Sequence, residues 1–129
     1  MTTSLECVGM TPGLGADLAI DVLREVIVTL IRRDQPALSA HQFGVFLTCY
    51  LHDGDHTVRG LAQELNVSKS VITRALDKLT DLDLATRRPD PADGRSVIVS
   101  RTEAGQAMLQ DLIGIAETYY AQNVEKLCA

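Results

Sequence analysis

Between Leu14 and Ile31 the apolar residues Leu14, Leu18, Val22, Leu23, Val26, Ile27, Leu30 and Ile31 recur at spacings of three and four, the stripe of a helix ending near Arg33. Residues 1–13 mix Thr, Gly and Pro without periodicity and read as a flexible arm, although Thr11 and Pro12 supply a cap and a first helical residue. Ser39 with Gln42 forms a capping box that opens a second helix through Phe43, Phe46, Leu47 and Tyr50, and the polar stretch His52–His56 stops it. Thr57 caps a short helix carrying Leu61, Ala62 and Leu65 that breaks at Asn66. Ser68 caps the next, with Val71, Ile72, Ala75, Leu76 and Leu79 turned inward. Two short helices joined by so few residues have helix-turn-helix geometry.

After Leu84 the period changes. Ala85–Arg88 and Ser96–Ser100 predict two short strands around the polar turn cluster Pro89–Gly94, and the β-branched Val97, Ile98 and Val99 make a poor helix but a good strand. Thr102 then caps a last helix with Ala104, Met108, Leu112, Ile115, Tyr119, Val124 and Leu127 at helical spacing. The predicted class is mainly α with a small β-hairpin wing, and a length of 129 residues fits one domain.

Charge sharpens this picture. The net charge of −5 argues mildly against nucleic acid, but between Thr57 and Arg101 eight basic residues face six acidic ones, while the rest of the chain holds four basic and eleven acidic. A basic middle on acidic flanks keeps a polyanion-facing surface available and lets the rest of the body repel DNA. No apolar run is long enough to span a membrane, and the start, Met1–Cys7, has no secretory pattern, so a cytoplasmic address is expected. Cys7, Cys49 and Cys128 lack CxxC spacing and fit reduced thiols. No nucleophile elbow, Gly-rich phosphate loop or HExxH is present, which argues against an enzyme.

The helix beginning at Ser68 shows Ser68, Lys69, Ser70, Thr73 and Arg74 outward once its apolar stripe is buried. A recognition helix places polar and basic groups at its N-terminal half, where the groove floor is reached. Arg74 carries the bidentate fork that suits guanine. Lys69 and Ser70, beside the helix N-terminus, suit a phosphate. In the hairpin, Gly94 is expected to permit the tight turn and to set Arg95 at the tip, where a guanidinium enters a narrow minor groove. Arg87 and Arg88 on the first strand reach flanking phosphates. The competing reading of Arg95 is a side-chain contact with Asp93 that fixes the turn without DNA.

The segment from Leu61 to Gly105, LAQELNVSKSVITRALDKLTDLDLATRRPDPADGRSVIVSRTEAG, resembles the MarR family of winged helix-turn-helix regulators. Asp93, Arg95, Thr102 and Gly105 match its Asp-x-Arg wing tip and Thr-x-x-Gly helix start. The resemblance implies a sequence-specific regulator of double-stranded DNA, a repressor acting as a homodimer on a pseudopalindromic operator. It also implies that residues 14–33 and 102–128 form dimerisation helices and 57–101 the DNA-binding lobe, with a wing near 85–100. The apolar stripes of the terminal helices agree, because one small domain cannot cover both. The alternative keeps the fold as a protein interaction module that has lost DNA binding.

Two positions depart from the family pattern. Asp83 stands where Gly is usual after the recognition helix, and Arg101 where an apolar residue usually precedes the Thr. Arg101 either snorkels to the surface beside the wing or needs a buried partner. An amphipathic small-molecule effector, which the family often binds, has His41, Phe43, Phe46 and Tyr50 as its candidate lining, with core packing the favoured reading of those aromatics. His52, Asp53, Asp55 and His56 are metal-ligand types that a solvated turn also contains, and neither metal nor cofactor is expected. Cys7 has Glu6 beside it, the wrong sign for an activated thiol, and Cys49 reads as core.

Overall fold

The computed structural model describes residues 12–128. In chain order these form α1 (Pro12–Arg32), α2 (Ala40–Leu51), β1 (His56–Thr57), α3 (Val58–Leu65), α4 (Lys69–Asp81), β2 (Thr86–Pro89), β3 (Val97–Ser100) and α5 (Glu103–Cys128). The fold is mainly helical with a three-stranded antiparallel sheet in the order β1-β3-β2. The arm expected over 1–13 lies, up to Thr11, outside the described residues, as does Cys7. Pro12 and Gly13 already belong to α1.

The described residues form two compact units, one of residues 12–37 with 110–128, the other Leu38–Leu109. In the second, each helix starts on the side chain its sequence offers. Ser39 Oγ accepts from the Gln42 N–H at 3.2 Å while Gln42 Oε1 accepts from the Ser39 N–H at 2.9 Å, so the box satisfies two orphan donors at once. Thr57 Oγ1 accepts from Gly60 N–H at 3.0 Å and Ser68 Oγ from Val71 N–H at 3.3 Å. α3 ends where Asn66 turns left-handed at φ 54°, a conformation its short amide side chain tolerates.

The core of this unit forms around Val45, Phe46 and Tyr50 of α2, Leu61 of α3, Ile72, Leu76 and Leu79 of α4 and Ile98 of β3, all buried. Phe46 and Tyr50 stack tilted with centroids 4.6 Å apart. β2 sits one residue later than expected, and β3 starts one residue later but ends at Ser100 as expected, with Thr86 opposite Ser100 and Pro89 opposite Val97. β2 is an edge strand, which accommodates a proline that cannot donate to a ladder. The turn expected over His52–His56 ends one residue early. His56 and Thr57 pair with Val99 and Ile98, so Thr57 serves a strand and a helix cap together.

In the other unit, α1 and the later part of α5 are tied by Arg33 paired with Asp111 and by the Tyr119 hydroxyl donating to Asp21 at 2.7 Å, which raises the phenol pKa. Leu18, Leu112 and Val124 are buried. Ile20, Leu23, Ile27 and Ile31 of α1 are instead exposed, at 67%, 54%, 46% and 70%. No described helix is long and apolar enough to cross a membrane.

Candidate nucleic-acid interface

Three residues, Asn66, Val67 and Ser68, join α3 to α4. Along the outer face of α4, Ser68, Lys69, Ser70, Thr73 and Arg74 are all exposed, because Ile72, Ala75, Leu76 and Leu79 anchor the opposite face. Ser68 has its hydroxyl engaged as the cap and lies 3.0 Å from the Ser70 hydroxyl. Among the described residues, neither Lys69 nor Arg74 has a carboxylate within ion-pairing distance. Arg74 borders a shallow recess with Val71, Ala75 and the start of α2, including Ser39, His41 and Gln42.

The hairpin tip is built by aspartates. Asp90 accepts from the Ala92 N–H through Oδ1 at 2.9 Å, and Asp93 accepts from the Arg95 N–H through Oδ1 at 3.0 Å, two Asx turns in succession. Main-chain bonds from Ser96 N–H to Asp93 O at 2.9 Å and from Asp90 N–H to Ser96 O at 3.1 Å close the loop. The role expected of Gly94 is thereby corrected: its φ is not left-handed and a Cβ there would meet nothing, so the aspartates make the turn. Asp93 does fix the tip, but through the Arg95 backbone. The Arg95 guanidinium, exposed, has no ion pair among the described residues.

The two strand arginines are less free than their sequence suggests. Arg87 Nη1 pairs with Asp77 Oδ1 of α4 at 2.8 Å, and Arg88 Nε donates to Ser100 Oγ at 3.2 Å across the hairpin. Asp77 was invisible as a functional residue in the sequence; its only signal is its place one turn beyond Arg74 on the outer face of α4.

Behind the interface, Arg101 has the partner its sequence did not disclose. Its Nε donates to Cys49 O at 2.9 Å and its Nη2 to His52 O at 3.2 Å, so the guanidinium satisfies carbonyls left open at the end of α2 and lies 5.7 Å from the Tyr50 ring centroid. Asp83 is left-handed at φ 59°, as a glycine in its place would be, and its carbonyl accepts from Thr102 Oγ1 at 2.6 Å. The Thr102 hydroxyl also accepts from the Gly105 N–H at 2.9 Å, capping α5.

The grouping of His41, Phe43, Phe46 and Tyr50 as an effector lining does not hold together. Phe46 is fully buried and Tyr50 nearly so, with its hydroxyl donating to Leu84 O at 2.7 Å and accepting from Thr102 N–H at 3.0 Å, whereas His41 is exposed and Phe43 half-buried. Both inner rings are core because Phe46 and Tyr50 lie one turn apart on the buried face of α2 with Val45 and Cys49. His52 Nδ1 lies 3.2 Å from Glu64 Oε1, and His56 Nε2 lies 2.9 Å from the His52 carbonyl, so the two rings are spent on local contacts. Cys49 is buried, and that burial pushes its thiol up to about 11 despite the opposing pull of Arg101.

A support helix, a second helix with unpaired cations on its outer face and a basic hairpin together define a winged helix-turn-helix. The sequence model of the MarR family matches residues 38–96. An uncharacterized HTH-type transcriptional regulator of Mycobacterium leprae is 31% identical over 97 residues, 75% of this chain and 67% of that protein. An HTH-type transcriptional regulator of Mycobacterium tuberculosis is 28% identical over 114 residues, 88% of this chain and 79% of the relative. The fold is also that of a transcriptional regulator from Thermotoga maritima, with a TM-score of 0.75 at 23% identity over 90% of this chain and 79% of that one. The chain belongs to the MarR family: it is a DNA-binding transcriptional regulator and not an enzyme.

Proposed function

We propose that the chain acts as a homodimeric repressor that occupies a pseudopalindromic operator, with α4 in the major groove and the hairpin tip in the minor groove. The observation that carries this reading is that Lys69, Arg74 and Arg95 are exposed, have no ion pair among the described residues, and are held on one compact unit by a buried core. Arg74 reads a base edge, Thr73 lies beside it, Lys69, Ser68 and Ser70 take phosphates at the helix N-terminus, and Arg88 takes a flanking phosphate. Arg95 enters the minor groove, where its charge is favoured by groove width.

The dimer rests on α1. Four exposed large apolar side chains at spacings of three, four and four form a stripe that a monomer in water rarely leaves open. A second copy covers it, making residues 14–33 and 102–128 the dimerisation helices and 57–101 the DNA-binding lobe. An amphipathic effector, where one acts, meets the surface residues His41 and Phe43 rather than the core rings.

Gel-shift titrations against DNA flanking the protein's own gene, at low and physiological salt, test the reading. Binding should weaken with a log-log slope near −0.9 per phosphate neutralised. An isotherm indifferent to salt would favour the interaction-module alternative.

A further inference from the structure

β2 contributes no buried side chain: Thr86, Arg87, Arg88 and Pro89 are all exposed. Being an edge strand, it is held on one side only, by its ladder to β3. The ion pair from Arg87 to Asp77, at 2.8 Å, is the one side-chain ion pair or hydrogen bond recorded between β2 and α4 among the described residues. It joins the two elements proposed to read DNA, since Arg74 lies one turn before Asp77 on α4 and Arg95 lies beyond β2 at the hairpin tip.

We infer that Arg87 and Asp77 are positioning residues for DNA recognition: their ion pair sets the angle between hairpin and recognition helix, and Arg87 is withdrawn from phosphate binding. The inference rests on the DNA-binding reading above and revises the role its sequence position suggested for Arg87. Two arguments support it. The pair is neutral, so Arg87 contributes little attraction for a polyanion while Asp77 faces it, and a carboxylate on the outer face of a recognition helix is unfavourable beside phosphates unless its charge is cancelled. Reading a major-groove base and a minor-groove width at once also demands a fixed spacing between the two reading groups; β3 is anchored by its ladder to β1 and by buried Ile98 and Val99, whereas the outer arm β2 has the Arg87–Asp77 pair as its side-chain tie to α4.

The test uses the full-length protein, a duplex enriched by that protein from a random-sequence pool, and a random duplex of the same length. Arg87→Ala should lower the selected-to-random affinity ratio by about two- to fivefold per subunit, the range of an exposed ion pair, with the salt slope unchanged. Asp77→Asn should lower the ratio similarly while binding to random DNA holds or rises, because one negative charge is lost. The exchange Asp77→Arg with Arg87→Asp preserves net charge and should restore most of the ratio. A slope shallower by about one per subunit in Arg87→Ala marks a phosphate contact and overturns the inference while leaving DNA binding intact. An unchanged ratio in both single variants, or an exchange that restores nothing, overturns it as well. Salt-independent binding of the unsubstituted protein overturns the DNA reading and the inference with it.

Discussion

Gly105 lies against the phenol of Tyr50 so closely that a Cβ on it would stand 2.5 Å from Tyr50 Cζ and 2.6 Å from the Leu84 carbonyl oxygen. Its need is for space and not for backbone freedom, since it sits in α5 with helical geometry. Gly105→Ala should therefore destabilise the fold by about 1–3 kcal/mol from overpacking alone. A further cost of similar size follows if the Tyr50 hydroxyl is pushed off Leu84 O and Thr102 N–H. Urea denaturation gives the check: a midpoint equal to that of the parent protein would show that this contact is not tight.

Most of the helical frame was legible because each start is written locally. Ser39 with Gln42, Thr57, Ser68 and Thr102 each bond a backbone N–H within three residues, so the signal and the structure lie in the same window. What the sequence hid is long-range or very short. β1 spans two residues, too few for a period, and exists because β3 offers it an edge. Arg101 is satisfied by a carbonyl 52 residues earlier. Gly94 misled because glycine in a polar turn suggests a left-handed residue, whereas Asp90 and Asp93 had already closed that turn with their own side chains. The cations of the site were legible by type and phase on α4. Whether each was free or paired was not, since Asp77 and Arg87 meet only after the chain has turned back on itself.

Arg101→Ala should remove two charge-assisted hydrogen bonds from the carbonyls of Cys49 and His52 and cost about 1–2 kcal/mol, held to that range by the exposure of the side chain. Arg101→Lys should recover less than half, because one ammonium cannot fork to both carbonyls. Chemical denaturation of the three proteins at neutral pH provides the measurement, and equal stability of Lys and Arg would contradict the forked geometry.

Cys49 links burial to alkaline stability. Its thiol is held near 11, against an ordinary value of 9.0, mainly because burial disfavours the thiolate. The folded pKa is raised, so the associated stability is complete below the unfolded value and is lost as pH climbs from about 9 through about 11. The loss is on the order of 2–3 kcal/mol. Other groups titrate in that window, so the difference between the parent and Cys49→Val is the quantity to follow. It should move in favour of the variant as pH rises, and a flat difference would refute the burial argument. At pH 8 the folded thiol should resist iodoacetamide and react only after denaturation.

The stripe on α1 predicts the oligomer. Leu23→Asp with Ile27→Asp places two carboxylates among side chains that are 54% and 46% exposed in the isolated chain, where they should leave the monomer fold within about 0.5 kcal/mol per site. In a dimer seam the same charges are desolvated against apolar partners and oppose association. Sedimentation equilibrium at micromolar concentration should give a dimer for the parent and a monomer for the double variant, with helical circular dichroism retained in both. A parent that sediments as a monomer would remove the dimer from the proposal.

The division of labour among the unpaired cations is the most direct test of the interface. Arg74 lies on the outer face of α4 beyond the cap, so Arg74→Ala should lose a bidentate base contact of roughly 1–3 kcal/mol and weaken a selected operator far more than random duplex. Lys69, the first residue of α4, should act on phosphate: Lys69→Ala weakens both duplexes alike and makes the salt slope shallower by about one per subunit. Arg95→Ala should fall between them, losing preference for A·T-rich flanks because a minor-groove guanidinium responds to groove width and not to individual bases. All three side chains belong to exposed residues, so each variant should fold as the parent does and changes in affinity report the contact itself. Affinities for both duplexes across a salt series separate the cases. Equal losses on the two duplexes for Arg74→Ala would move that residue from base reading to phosphate binding. Three variants that bind as the parent does would mean that this face of α4 and the hairpin tip do not touch DNA.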